Sequence, residues 1–187
     1  MSYRIAVVVG SIRRDSFNKK LAEALQQLAP QDFEFHFCRI DDLPPYNQDE
    51  DGNQPPAAKR LKNEVASAQA VIFVTPEYNR SIPGVLKNAI DHASRPYGQS
   101  AWAGKPAGIL GISVGSIGTA MAQQHLRNIL AYLDMPTLGQ PEVFLQAKPG
   151  MLGDSSGLSE ESRKFLQGWM DRFTEFVKQH ADQVATV

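Results

Sequence analysis

The chain has 187 residues, a length that suits one domain with a full hydrophobic core. With 42% hydrophobic and 21% charged residues and a net charge of −1, it has neither the general basic surface of a nucleic-acid binder nor the acidic field that draws a basic partner. No run approaches the roughly 20 apolar residues of a spanning helix, no signal peptide fits the N-terminus, and the lone Cys38, with no partner for an internal disulfide, fits a reducing, cytoplasmic setting.

Ile5–Val9 is a short, wholly apolar run that predicts a buried parallel strand. Phe17, Leu21, Ala24, Leu25 and Leu28 then recur at helical spacing until Pro30 closes the helix. Phe33, Phe35 and Phe37 alternate with Glu34, His36 and Cys38, which marks a half-exposed strand at a sheet edge. His36 and Cys38 share its other face, but two ligands do not make a metal site, and no metal is expected. Residues 41–56, rich in Asp, Pro, Asn and Gly, read as an unusually long loop. A helix with Leu61 and Val65 inward follows, then a second buried strand, Ala70–Thr75, which breaks at Pro76.

Ser81 is placed as the cap of the next helix, with Pro83 in its first turn and Val85, Leu86, Ala89, Ile90 and Ala93 as its apolar stripe. His92 and His125 fall on helix faces. A loop carrying Trp102 leads into a third apolar strand, Ala107–Ser113, which ends in the Gly/Ser turn 114–119. Leu126, Ile129, Leu130 and Leu133 define a long helix, and Val143–Leu145 a last short strand. Residues 147–159 form a loop with three glycines. Leu166, Trp169, Met170, Phe173 and Val177 mark a final amphipathic helix whose tail frays after His180.

Strands alternating with helices predict an α/β fold: one flavodoxin-like domain, 1–187, with a doubly wound five-stranded parallel sheet of order 2-1-3-4-5 and helices on both faces. In such a sheet a ligand binds beyond the carboxyl ends of the strands, where the order reverses. Three turns leave the sheet there: 10–18, 76–81 and 113–119. The first joins a strand to a helix and offers hydroxyls, guanidinium groups and the unpaired N–H groups of a helix start, which together favour a phosphate. It is neither G-x-G-x-x-G nor G-x-x-x-x-G-K-[ST], and it holds no cysteine. Dinucleotide fingerprint, NTPase loop and thiolate phosphatase are all absent.

Gly10, Ser11, Arg13, Ser16 and Asn18 follow the pattern G-S-x-R-x-x-S-x-N, and Pro76 to Asp91 follow P-E-Y-N-x-S-x-P-G-x-L-K-N-A-I-D. With this pair the chain resembles the NADPH-dependent FMN reductase family, a flavodoxin-like group that includes bacterial quinone, chromate and azo-dye reductases. The similarity runs in weaker form from about residue 3 to residue 145, and the C-terminal helix is generic. The resemblance implies that Ser11, Arg13, Ser16, Phe17 and Asn18 hold the FMN phosphate. Pro76, Glu77, Tyr78 and Asn79 would run along the isoalloxazine edge, mostly with backbone groups, and Ser113 and Gly115 would approach the ring from the third turn. Tyr78 can supply a flat apolar wall. Arg80, at a variable position, reads either as a contact to the 2′-phosphate of NADPH or as a solvated surface arginine.

The activity implied is a ping-pong cycle in which NADPH, or NADH, gives a hydride to FMN and a quinone or similar acceptor then takes two electrons. No side chain is expected to be catalytic, because the flavin carries the chemistry. Glu77 is read as structural, bonding across a subunit boundary. The resemblance, the 41–56 loop and the Trp102 loop point to a homodimer. A homotetramer is the other assembly, though Met121 and Gln124 stand where some relatives place charged or aromatic assembly contacts. An electron-carrying flavodoxin and a flavin-binding module without turnover are the alternatives.

Overall fold

The apolar runs become five parallel strands in one sheet, visible in a computed structural model that describes residues 2–149, 151 and 158–184, with side chains to residue 180. They are β1 (Tyr3–Val9), β2 (Phe33–Cys38), β3 (Ala70–Val74), β4 (Ala107–Ser113) and β5 (Phe144–Gln146), in the order β2-β1-β3-β4-β5. The expected topology is therefore the observed one, with β2 at an edge and β5 one residue later than the apolar run suggested. The connecting helices are α1 (Phe17–Gln26), α2 (Pro56–Ala66), α3 (Gly84–Ala93), α4 (Ala120–Tyr132) and α5 (Glu160–Val184).

Alternation along the strands divides the core into two layers. Ile5, Val7, Phe33, Phe35 and Ile72 pack with Leu21 and Leu25 of α1 and with Leu166, Trp169 and Phe173 of α5. Ala6, Val8, Cys38, Val71 and Phe73 face the opposite way, onto Leu61 of α2, Leu86 and Ile90 of α3, and Leu126 and Leu130 of α4. The Trp169 and Phe173 rings stack 5.2 Å apart and lie over Gly108, where a Cβ would come within 2.8 Å of the Trp169 ring. Only glycine lets α5 settle this closely on β4.

Three expectations are refined. In the Trp102 loop the indole turns inward: Trp102 is fully buried, its ring lies 5.6 Å from Phe73, and its Nε1–H donates to the Ile90 carbonyl at 3.0 Å. It is a core residue, while Tyr97 of the same loop stands exposed. The 41–56 segment is a loop, as its composition implied; it contains a 3₁₀ segment, Gln48–Asn53, and is hydrogen-bonded to α3. Tyr46 N–H donates to Asn88 Oδ1 at 2.8 Å, and the Pro44 carbonyl accepts from Asn88 Nδ2 and His92 Nε2. His92 is thereby a satisfied buried histidine. The final helix continues past His180 to Val184. Of the expected 147–159 loop, residues 150 and 152–157 lie outside the described residues, as do 185–187.

Candidate active site

β1, β3 and β4 are neighbours, so the turns that follow them stand side by side on one rim of the sheet. The first begins at Gly10, whose N–H donates to the Val74 carbonyl at 2.8 Å. A Cβ on Gly10 would lie 3.0 Å from Leu86 Cδ2 and 3.1 Å from Thr75 Oγ1, so the turn packs tightly against its neighbours and a larger residue would have to push them aside by a few tenths of an ångström. Ser16 then caps α1: its backbone is extended and its Oγ accepts the Lys19 N–H at 3.2 Å. That cap leaves the N–H groups of Phe17 and Asn18, at the first two positions of the helix, without an acceptor inside the helix. They point with the helix dipole toward the turn that carries Ser11, Arg13 and Arg14.

Asn18 is buried, and its amide is paired on both sides with β4: Nδ2 donates to the Ile112 carbonyl at 2.9 Å, and Oδ1 accepts the Ile112 N–H at 3.1 Å. Its side chain fixes the turn against the fourth strand. What it can offer an anion is its main-chain N–H.

The second turn holds a feature that helical patterning missed. Tyr78 and Ser81 exchange two main-chain hydrogen bonds of 3.0 Å, and Asn79 and Arg80 between them adopt φ of 51° and 64°. This is a two-residue hairpin with both central residues left-handed, the turn for which Asn-Gly is the favoured sequence. Ser81 belongs to this hairpin, and Pro83 precedes α3 without any side-chain cap, which corrects the assignment of Ser81 as a helix cap. The Ser81 hydroxyl meets His125 Nδ1 at 2.6 Å instead. Glu77 lies nearby, with Oε2 accepting the Ala122 N–H at 3.0 Å. Within the chain it is a structural residue that caps the first turn of α4.

The third turn is braced internally. Ser113 Oγ donates to the Gly118 carbonyl and accepts the Gly115 N–H at 3.2 Å. Gly118 has φ of +61°, and a Cβ there would strike the Phe144 backbone at 2.7 Å. Two of the exposed side chains of this turn are apolar. Val114 and Ile117, together with Ile12, Tyr78 and Met121, stand 43–73% exposed around the same rim. A basic, N–H-rich turn beside a ledge of apolar side chains suits a ligand with an anionic tail and a flat apolar ring. FMN has that shape, and these residues fit it. Sequence reasoning picked out Tyr78 but missed Ile12, Val114, Ile117 and Met121. The available signal was aliphatic side chains standing in otherwise polar turns.

Two cavities flank the rim. A groove of about 420 Å³ runs from Ser11, Arg13, Arg14 and Lys19 to the end of β2 at Cys38, Arg39 and Asp41. Another, of about 560 Å³, lies past β5 and meets the third turn only at Ser116. Burial, followed by the charge of Glu64, pushes the Cys38 thiol up to about 12, so no thiolate nucleophile faces the first groove.

The sequence profile of the NADPH-dependent FMN reductase family matches residues 3–150. A 2-hydroxy-1,4-benzoquinone reductase of a Burkholderia species is 54% identical over 180 residues, covering 95% of this chain and 98% of the relative. A quinone reductase of Pseudomonas putida is 49% identical, covering 94% and 95%. Among solved structures, the flavoenzyme NAD(P)H:(acceptor) oxidoreductase FerB of Paracoccus denitrificans superposes with a TM-score of 0.91 at 44% identity, covering 95% of this chain and 98% of that one. A flavodoxin of Pseudomonas aeruginosa, 18% identical with a TM-score of 0.60, shares the fold alone. The chain belongs to the NADPH-dependent FMN reductase family: it is an oxidoreductase that works with FMN and draws its electrons from NAD(P)H.

Proposed function

We propose that this chain is a quinone reductase acting as a single flavodoxin-like domain, with NADPH or NADH as donor and a quinone or similarly flat molecule as acceptor. The observation that carries the reading is the rim itself, where an exposed apolar ledge adjoins a basic helix N-terminus. The names of the Burkholderia and Pseudomonas relatives support the quinone. FMN, when bound, supplies the hydride acceptor and passes two electrons on. The chain's own residues do the rest. Ser11, Arg13, Ser16 and the main-chain N–H groups of Phe17 and Asn18 hold the phosphate. Pro76, Glu77, Tyr78 and Asn79 line one ring edge, chiefly through main-chain groups, while Ser113 and Gly115 approach from the other turn. Tyr78, Ile117 and Met121 keep bulk water from the slot that donor and acceptor occupy in turn.

The same proposal has the protein work in the cytoplasm as a homodimer, with a homotetramer as the larger assembly. The free, buried Cys38 fits the compartment, and the exposed Met121 and Ile117 beside the slot fit a subunit boundary there. A steady-state screen of quinones, chromate and azo dyes with each nucleotide, ranked by kcat/KM, tests the function. Quinones should rank first, with parallel initial-rate lines for NADPH against quinone. Turnover only with a protein acceptor would make the chain an electron carrier, and no NADPH oxidation at all would make it a flavin-binding module.

A further inference from the structure

Away from the rim, β2 and α2 bring three chemically distinct ligands together. His36 and Cys38, two residues apart, point from the same face of the edge strand. Glu64, on the last turn of α2, meets them there, and the ligand atoms of all three lie within 4.8 Å of one another. The two strand residues alone were too few to make a site, and the helix supplies the third. The cluster is poorly satisfied by protein. His36 Nε2 and one Glu64 oxygen, Oε2, are buried without a hydrogen-bond partner, and Nε2 stands 3.4 Å from the other oxygen, Oε1. Cys38 Sγ makes a weak contact to the His36 carbonyl at 3.9 Å and interacts with the Glu64 carboxylate, which helps to push its thiol up.

We infer that His36, Cys38 and Glu64 form a binding site for a divalent zinc-type cation, held by one imidazole nitrogen, one thiolate and one carboxylate with a fourth position open to water. A thiolate beside an imidazole selects zinc over magnesium or calcium, which prefer all-oxygen sites. Tetrahedral zinc, with bonds of about 2.0 Å to nitrogen and oxygen and 2.3 Å to sulfur, sets its ligands roughly 3.5 Å apart. Closing the cluster therefore takes a contraction of about 1 Å, within reach of side-chain torsions. The thiol proton leaves to solvent as the cation binds, and thiolate plus carboxylate balance its two charges.

Two guanidinium groups border the cluster. Arg60 Nε lies 3.5 Å from Glu64 Oε1, but the rest of its head is tied to Asp42 at 2.6 Å and 3.0 Å and to the Arg39 carbonyl at 2.7 Å. Arg4, the other, has a buried Nε without a hydrogen-bond partner. Without a cation, the 3.4 Å contact between His36 Nε2 and Glu64 Oε1 stands as a simple pair of side chains, and that is the competing reading.

Untagged, FMN-loaded protein stripped with chelator is titrated with Co²⁺ and followed in the red, where tetrahedral cobalt absorbs and oxidised flavin does not. Zinc is titrated separately by calorimetry. The expected result is one equivalent of either metal per chain with micromolar or tighter affinity, a rise in melting temperature with zinc, and reversal by chelator. His36→Gln and Glu64→Gln should each weaken binding at least tenfold while the flavin spectrum stays intact. Cys38→Ser should remove the cobalt bands. Because Cys38 is buried and its replacement can unfold the chain, the two half-exposed variants decide the matter. Absence of cobalt bands and zinc heat at micromolar protein overturns the site and leaves the simple pair of side chains. Undiminished binding by both His36→Gln and Glu64→Gln overturns it as well, by placing the metal elsewhere.

Discussion

At Arg80 the chain accepts a left-handed backbone that costs a side-chain-bearing residue of the order of 1 kcal/mol. The hairpin it completes would be Asn-Gly in its favoured form, so Arg80→Gly should raise stability by about 0.5–1 kcal/mol, read from urea midpoints. If the guanidinium also grips the 2′-phosphate of NADPH, the same variant raises KM for NADPH and leaves KM for NADH unchanged; equal effects on both nucleotides rule that contact out. Arg13 sits in the first turn, where a charge-assisted bond to phosphate is worth about 1.5–3 kcal/mol. Arg13→Ala should then lose roughly ten- to a hundredfold in FMN affinity by fluorescence titration. Wild-type affinity in that variant would move the phosphate elsewhere. Glu77→Gln should lower stability by about 1 kcal/mol through the loosened start of α4. The pH profile of NADPH oxidation should not change, which separates a cap from a proton donor.

Between elements, close approach and charge set the tolerances. A Cβ on Gly111 of β4 would sit 2.1 Å from the Thr75 carbonyl oxygen and 2.4 Å from Thr119 Oγ1, and backbone cannot step aside. Gly111→Ala should cost about 3 kcal/mol, seen as a fall in melting temperature. On the far side of the sheet, Lys178 of α5 lies 2.9 Å from Asp32 Oδ2, and its ammonium stands 5.8 Å and 5.7 Å from the Tyr3 and Phe33 rings. The hydrogen bond to Lys178 holds the Asp32 carboxyl below its ordinary 3.8. A carboxylate depressed in the folded state stabilises above that value and loses its contribution as the pH falls through and below it. The stability gap between wild type and Asp32→Asn should therefore close on acidification, and should shrink with salt because the pair is exposed. A gap that persists in acid would assign the loss to packing. These elements differ in how far the residues announced them. Apolar runs and helical spacing revealed β1, β3, β4, α1 and α5, because burial on one or both faces is written in local pattern. The Asn79–Arg80 hairpin, the inward turn of Trp102 and the bond from Ser81 to His125 depend on partners distant in sequence, and no local period encodes them. Glu64 joining His36 and Cys38 is of the same kind.

For the whole molecule, the turn proposed to hold the phosphate was legible because its chemistry lies in one short stretch, whereas the apolar ledge is assembled from three turns and a helix. Sedimentation at micromolar concentration should give about twice 20.6 kDa or more, and a monomer that turns over at full rate would remove the subunit boundary from the site. Ligand that binds only the folded chain adds about 2.7 kcal/mol at a hundredfold excess over its dissociation constant, so FMN should raise the melting temperature. The Asn18 amide, joined to Ile112 across 94 positions, has a consequence for synthesis. On a translating ribosome the first turn emerges early, yet the strand that holds it in place is still unmade. If the first turn holds the phosphate as proposed, capture of the cofactor must wait for β4. Stalled nascent chains of increasing length should stay blind to free FMN until Ile112 has cleared the exit tunnel, and should then quench its fluorescence in a single step.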